Sequence, residues 1–438
     1  MRLNRKILAA FAVPSLPLAA VGLPTVVYLP PYYSSELGLS LSAVGMIFLL
    51  VRLIDIPLDP FIGHAIDRTT TRFGRFRPWL AGGGLMVMAG AMATYMASPG
   101  ISVAAAFAGV LVLYIGYSGI TVAHTAWGAT LTDDYHERSR VFGWWMVIAQ
   151  LGMLIVLTLP PIFARLTPGG GSAPGIHAMG WMIIAGLPLT LIWMFAQVPE
   201  RPRLKDHAPK LGDLVTVFRN PLMRKLLAVD LIANLAPGIT GALFLFFFEA
   251  AKGYGAVEAS LLLLVYFVFG MIGVPLWTAI ARRTSKHRTI VLALFLYAIT
   301  QAATFLLPPD NWPLAAVSMA LAGLPYGATM FLLRAMLADV SDAETLRSGQ
   351  EKTGLFYAAA VAVQKLGYAI PVGLTYPVLG YLGFEARLGT GNSASAIDGL
   401  TMLFVVPPVL LALIAAWVVS SWPLDAKAQA ANAEALRS

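Results

Sequence analysis

Stretches of about twenty or more mostly apolar residues recur along this chain, and a run of that length is what a helix needs to cross the hydrocarbon of a bilayer. They lie at 7–33, 41–66, 78–98, 101–130, 141–163 and 176–198, then at 224–250, 259–281, 289–307, 313–338, 354–383 and 400–420. Lipid offers the backbone no hydrogen-bond partner, so each run has to satisfy its own amides as a helix, and an all-α membrane protein of twelve spans is expected. Hydrophobic residues make up 58% of the chain and charged residues 12%, which excludes a soluble multidomain protein of 438 residues. The basic start followed by an apolar run imitates a signal peptide, but 7–33 exceeds the usual ~7–15 residue core and many spans follow it, so it reads as a retained first helix. With no cysteine there is no disulfide and no thiolate metal site.

The net charge of +8 does not point to nucleic acid, because the basic residues collect in alternate loops. Arg68, Arg72, Arg75 and Arg77, then Arg138 and Arg140, then 201–225, 282–288, Arg347 and Lys352 all fall on the side of the N-terminus, whereas the opposite loops hold little beyond Arg165, Lys252 and Arg387. The positive-inside rule then places both termini in the cytoplasm of a multi-pass inner or plasma membrane protein. The long polar linker at 199–223 divides the chain into a six-helix bundle at 1–198 and a second at 224–424, with a cytoplasmic tail at 425–438. An internal repeat supports the division: Ala129-Thr-Leu131-Thr-Asp133 ends the fourth span and Ala335-Met-Leu337-Ala-Asp339 ends the tenth, each followed by acids and arginines. Two duplicated six-span halves are a common plan for secondary transporters, with substrate bound between them.

Within the second span, Arg52, Asp55 and Asp59 stand at helical spacing on one face. Ionisable groups in a span are expensive and mark an ion or substrate pathway by default, although a buried ion pair that only locks helices is the alternative. Pro57 and Pro60 are expected to interrupt the same helix and to free the carbonyls of Leu53 and Ile56 near the acids. Elsewhere in the spans, His124 is a candidate for proton movement or for an interhelical hydrogen bond. Lys365 needs a facing carboxylate to stay charged. Tyr114, Trp127, Trp144 and Trp145 are candidate rings for stacking on a substrate, or packing and lipid-facing residues. Asp230 and Asn234 share a helix face near Arg224 and Lys225, where a local ion pair is equally expected. No GxxxxGK[ST] loop and no catalytic constellation is present, which leaves neither ATP-driven pumping nor an enzyme.

Four blocks carry a family resemblance: the RxxDxxxDP and GRFRPW elements of 52–79, TDDYHERSR at 132–140, AMLADVSDAETLRSGQEKTG at 335–354, and 364–383 beginning QKLG. In their order and spacing the chain resembles the major facilitator superfamily and, within it, the melibiose permease-like glycoside-pentoside-hexuronide:cation symporters. The resemblance implies two bundles of six helices, a cation site at Asp55 and Asp59, and a helix XI lysine near substrate and cation at Lys365; Arg52 and His124, from their own place in the spans, are further candidates for coupling and charge compensation. It also implies a cytoplasmic gate in which Asp67, Arg72 and Arg75 act with Asp134, Glu137 and Arg138, and with Asp339, Asp342 and Arg347. The chain departs from the pattern where the family's sugar carriers hold a helix I carboxylate, a helix IV carboxylate and a helix V arginine, here Ala19, Ala123 and Trp145.

The function expected from these features is cation-coupled symport of a glycoside, saccharide derivative or sugar acid by alternating access. A lysolipid-like or other amphipathic substrate is the alternative within transport, and a non-transporting membrane receptor or scaffold is the alternative outside it. The expected partners are a small-molecule substrate and the lipid bilayer, with the protein acting as a monomer and without a cofactor. The loss of side-chain oxygens at Ala123 and Leu58 favours a proton over sodium as the coupling cation, since two close carboxylates raise each other's proton affinity.

Overall fold

A computed structural model describes residues 3–22, 24–132, 135–167, 171–200, 218–348 and 353–423. Most of the expected linker, the tail from 425, and Asp133 and Asp134 lie outside the described residues, as do the side chains of Asp67 and Arg138. The chain separates into two compact units, Met1–Ala208 with Glu385–Arg387, and Pro209–Phe384 with Leu388–Ser438.

The first span is not the single helix expected at 7–33. It is broken into α1 (Arg5–Ala12), α2 (Ser15–Gly22), α3 (Pro24–Val27) and α4 (Leu29–Ser35). Proline supplies no N–H and clashes with the preceding turn, and Pro14, Pro24, Pro30 and Pro31 fall at or beside the breaks. A carbonyl left open in lipid costs several kcal/mol, about 2–7, so other groups must cover it. The Ser15 hydroxyl donates to the Ala12 carbonyl at 2.6 Å and the Thr25 hydroxyl to Gly22 at 2.7 Å. Pro24 has no N–H to give Ala20, and the Tyr95 hydroxyl donates to that carbonyl instead at 2.5 Å.

The rest of the first unit is regular: α5 (Leu41–Arg68), α6 (Arg77–Tyr95), α7 (Val103–Thr130), α8 (Tyr135–Leu166) and α9 (Ala173–Gln197). Ser40 and Ser102 cap α5 and α7 by accepting from Ala43 and Ala105. α5 runs unbroken through Pro57 and Pro60, so those prolines do not interrupt it as a sequence reading suggests. α6 lies along α7 because glycine removes the side chains between them; a Cβ on Gly116 would meet the Met86 Cβ at 2.7 Å.

In the second unit, α10 (Pro221–Phe246) closes in a π turn at Phe247–Ala251 and begins three residues before the expected span. It is followed by α11 (Ala256–Arg283) and α12 (Lys286–Ala303), which ends in a 3₁₀ turn at Thr304–Leu306. The tenth span, expected at 313–338, is divided at Leu324 and Pro325 into α13 (Trp312–Gly323) and α14 (Tyr326–Ser348). Here the Trp277 indole covers the Leu324 carbonyl at 2.8 Å. α15 (Thr353–Tyr381) and α16 (Ala394–Ser420) complete the unit. In α16, Pro408 leaves the Phe404 carbonyl open, and the Gln301 amide donates to it at 2.7 Å.

Among the described residues, eleven helical stretches are long and apolar enough to span a membrane. Arg77–Tyr95 is the twelfth helix of that arrangement, its apolarity diluted by Gly82, Gly83 and Gly84. The units repeat one packing plan. In the first, the first span packs on the fifth and sixth, the second on the fourth, and the third on the fourth and sixth; in the second, the seventh packs on the eleventh and twelfth, the eighth on the tenth, and the ninth on the tenth and twelfth. The two units therefore share one six-span packing plan.

Candidate functional site

Where α5 packs on α7, a charged group is buried within the first unit. Asp55 is fully buried, one carboxylate oxygen lying 3.2 Å from the Arg52 guanidinium and the other accepting from the Ser118 hydroxyl of α7 at 2.5 Å. Arg52 in turn lies over the Tyr114 ring at 3.9 Å, and the Tyr114 hydroxyl donates to Thr25 at 2.8 Å. A cation over an aromatic face contributes about 0.5–2 kcal/mol, more where water is excluded. One chain of contacts thus joins the broken first span, α7 and the acid of α5. Asp59, one turn beyond Asp55, is partly buried, and both acids lie within electrostatic reach of Tyr117.

The other expected site residues in the first unit are held elsewhere. His124 Nε2 is 2.7 Å from the Phe11 carbonyl and its ring packs on Phe11, with Trp145 edge-on at 6.4 Å. Because a carbonyl only accepts, Nε2 carries the proton, and the imidazole covers a carbonyl at the break after Ala12. Trp127 is fully buried, stacked between Phe76 and Phe195, with its indole donating to the Pro199 carbonyl at 3.2 Å. Tyr114 is likewise buried, whereas Trp144 is 37% exposed.

At the end of the unit that carries the loop after α5, Arg75 and Phe76 donate their backbone N–H groups to the Glu200 carboxylate, and Arg75 Nε donates to the Ile66 carbonyl at 3.2 Å. Arg77 donates to the Phe195 and Val198 carbonyls at the end of α9, at 3.0 and 3.2 Å. Arg72 lies over its neighbour Phe73. Glu137 bonds Arg140 at 2.6 Å and accepts from the Leu3 N–H at 3.1 Å. Glu200 is a residue the sequence reading missed, since only the fold brings the end of α9 to that loop.

In the second unit the same kind of staple recurs. Glu344 bonds Arg347 at 2.8 Å and accepts from the Asn220 amide at 2.7 Å, so each unit ties the start of its first helix to a Glu-x-x-Arg pair. Asp339 meets Lys286 at 2.6 Å, with Asp342 near enough to act on its charge. Asp230 does not pair with Arg224 or Lys225. Lys225 reaches Ser421 instead, and Asp230 lies 3.6 Å from Arg334 of α14 because α10 packs on α14 and α15. Arg334 also donates to Gln364 at 2.8 Å, and Asn234 donates to Asp230 at 2.8 Å. Sequence spacing gave no signal for Arg334 or Gln364. Lys365 follows Gln364 on the partly buried part of α15.

Among the described residues no cluster of His, Asp and Glu has the makings of a metal site. The sequence model of the MFS/sugar transport protein family matches residues 10–426, and the chain has the twelve-helix fold of the major facilitator superfamily. The chain is similar to the putative glycoside/cation symporter YagG of Escherichia coli (strain K12), at 25% identity over 88% of this chain and 85% of that one. It is 26% identical to the isoprimeverose transporter of Lactiplantibacillus pentosus over 87% of this chain and 81% of that one. The solved structure of a bacterial homologue of the human lysosomal transporter Spinster shares the fold, with a TM-score of 0.70 at 15% identity, covering 94% of this chain and 95% of that one.

Proposed function

The chain belongs to the MFS/sugar transport protein family and is a transporter rather than an enzyme; from that premise we propose that it is a cation-coupled symporter of a glycoside, saccharide derivative or sugar acid, working by alternating access. The observation that carries this reading is Asp55, a fully buried carboxylate in the middle of a span, joined to Arg52 on its own helix and to Ser118 on the next. An ionisable group so placed is costly to keep unless it serves a pathway. Asp55 and Asp59 hold the coupling cation, and Arg52 offsets the charge of Asp55 when the cation is absent. Binding the cation changes the charge of the α5 face and with it the balance between conformations. A state that holds both cation and sugar then gains in population, and each ligand raises the affinity of the other by the same factor.

A proton fits this site better than sodium. The position before Asp59 is the apolar Leu58 and the helix IV position is Ala123, which leaves sodium few side-chain oxygens, whereas two close carboxylates raise each other's proton affinity. The Glu200, Glu137 and Glu344 staples, with Asp339 and Lys286, serve as gate contacts at the basic end of the helices, and the distribution of arginines and lysines supports a cytoplasmic position for that end. Uptake of sugars into proteoliposomes under a pH gradient alone and under a sodium gradient alone tests the cation. Accumulation driven by the pH gradient is expected, and accumulation that follows sodium while ignoring the pH gradient overturns the proton assignment.

A further inference from the structure

The second unit carries a charged cluster that the cation mechanism does not use. We propose that Asp230, Asn234, Arg334, Gln364 and Tyr368 form an oxyanion-binding site, in which a sugar derivative bearing a carboxylate or sulfonate replaces Asp230 on Arg334 while Asp230 takes up one proton. The proposal rests on the sugar-transport reading and names the group of the substrate that this unit would hold.

The geometry favours exchange. Arg334 Nη1 lies 3.6 Å from Asp230, longer than a hydrogen bond, while Nη2 donates to Gln364 at 2.8 Å. A guanidinium has five N–H donors arranged to hold an oxyanion through two of them, and the Arg334 side chain is 26% exposed. Asp230 is held from its other side: the Asn234 amide donates to its Oδ1 at 2.8 Å and to its backbone carbonyl at 2.7 Å. Asn234 is itself pressed against α15, where a Cβ on Gly367 would meet its Cβ at 2.5 Å. Asp230 can therefore stay in place when Arg334 turns to another acceptor.

Hydroxyl groups adjoin the pair. The Tyr368 and Tyr326 hydroxyls are 3.2 Å apart, Tyr326 packs on Tyr266 at 5.6 Å between ring centres, and the buried Tyr266 hydroxyl bonds no protein group. Rings with free hydroxyl capacity suit a polyhydroxylated ligand. The charged and titratable groups facing Asp230 are Arg334 from α14 and Tyr368 from α15, with Tyr266 of α11 behind Tyr368. Lys365 follows Gln364 on α15, and α16 brings only Asp398, near its first turn.

Charge balance fixes the proton. Arg334 and Asp230 together are neutral, so an arriving anion would leave the pocket with one uncompensated negative charge. A proton on Asp230, supplied by hydronium or buffer acid of the bulk solution, restores neutrality: the proton forms an O–H bond on the carboxylate, and Arg334 pairs with the ligand.

The test uses the full chain purified in detergent, with D-glucuronate, its methyl glycoside and 6-deoxy-6-sulfoglucose as anionic probes and D-glucose and methyl glucoside as neutral counterparts. Calorimetry should show the anions binding and the affinity falling roughly tenfold or more in Arg334→Gln, as expected for loss of a charge-assisted pair. In weakly buffered solution the wild type should take up about one proton per anion bound, and Asp230→Asn none. Should Arg334→Gln fail to fold, the proton count in Asp230→Asn and the affinity of Gln364→Ala carry the test. Preferential binding of neutral sugars, anion affinity unchanged by Arg334→Gln, or no binding of any anionic probe overturns the proposal. Cation-driven uptake of a neutral glycoside would then leave the symporter reading standing, whereas anion binding without uphill transport would do the reverse.

Discussion

Each unit sets an arginine against a buried aspartate, and the two pairs are built differently. Arg52 and Asp55 are three residues apart on one helix, at 3.2 Å, with the aspartate side chain fully buried. Asp230 and Arg334 join two helices at 3.6 Å, with the arginine 26% exposed. A pair within one helix moves as a body with that helix, so tilting α5 cannot part it. A pair between α10 and α14 changes length whenever those helices shift. The first arrangement suits a site whose charge must be set by a bound cation, the second a site whose partner can be exchanged.

The contrast is broken most directly by removing the arginines. Arg52→Ala leaves Asp55 buried without its guanidinium, at a cost of about 3–5 kcal/mol, and is expected to lower the Tm in detergent steeply. Arg334→Ala should cost less, because that pair is longer and its arginine is 26% exposed. Equal losses would show that the two pairs are energetically alike. Exchanging the residues sharpens the point: Asp230→Arg with Arg334→Asp should recover part of the stability lost by either change alone, since a pair between two helices can be rebuilt in the opposite sense, less what Asn234 and Gln364 lose as partners. The exchange Arg52→Asp with Asp55→Arg should recover little, because Ser118 and the Tyr114 ring each require a particular partner.

The difference also explains what could be read from the sequence. Arg52, Asp55 and Asp59 were legible because helical spacing alone puts them on one face, and the twelve spans were legible because lipid leaves the backbone no choice. Asp230 was visible as a charge in a span, but Arg334 lies on a helix distant in sequence, and only the packing of α10 against α14 pairs them. Glu200 and the Asn220–Glu344 contact were hidden for the same reason. The breaks in the first span were signalled by Pro14, Pro24, Pro30 and Pro31, yet hydropathy favours one continuous helix. What sequence cannot supply is the set of side chains that cover the opened carbonyls, and His124 and Tyr95 are of that set.

His124 provides the next test. His124→Ala opens the Phe11 carbonyl and should cost about 1–3 kcal/mol, while His124→Gln, which keeps a donor, should recover part of it. In both variants the pH dependence of uptake should match the wild type; a shift would place the imidazole in the proton pathway with Asp55.

The smallest effect concerns a cation outside the spans that lacks the carboxylate both arginines have. The Lys252 ammonium donates to the Leu307 carbonyl at 2.6 Å, and burial pushes its pKa below the ordinary 10.5. Below the folded-state pKa it is charged in both states and the burial cost is carried in full. Between that value and 10.5 the unfolded chain keeps a proton that the folded chain sheds, so stability rises with pH in that window. Thermal melts of the wild type and Lys252→Met across the alkaline range should differ by that small rise, and identical profiles would show that Lys252 stays solvated.

The central claim is that Asp55 carries the coupling cation. Sugar counterflow and gradient-driven accumulation, measured side by side in proteoliposomes containing Asp55→Asn, test it most directly. Counterflow needs only binding and alternating access, whereas accumulation also needs the cation. Counterflow is expected to persist in Asp55→Asn while accumulation is lost, and accumulation at the wild-type level would remove Asp55 from cation coupling.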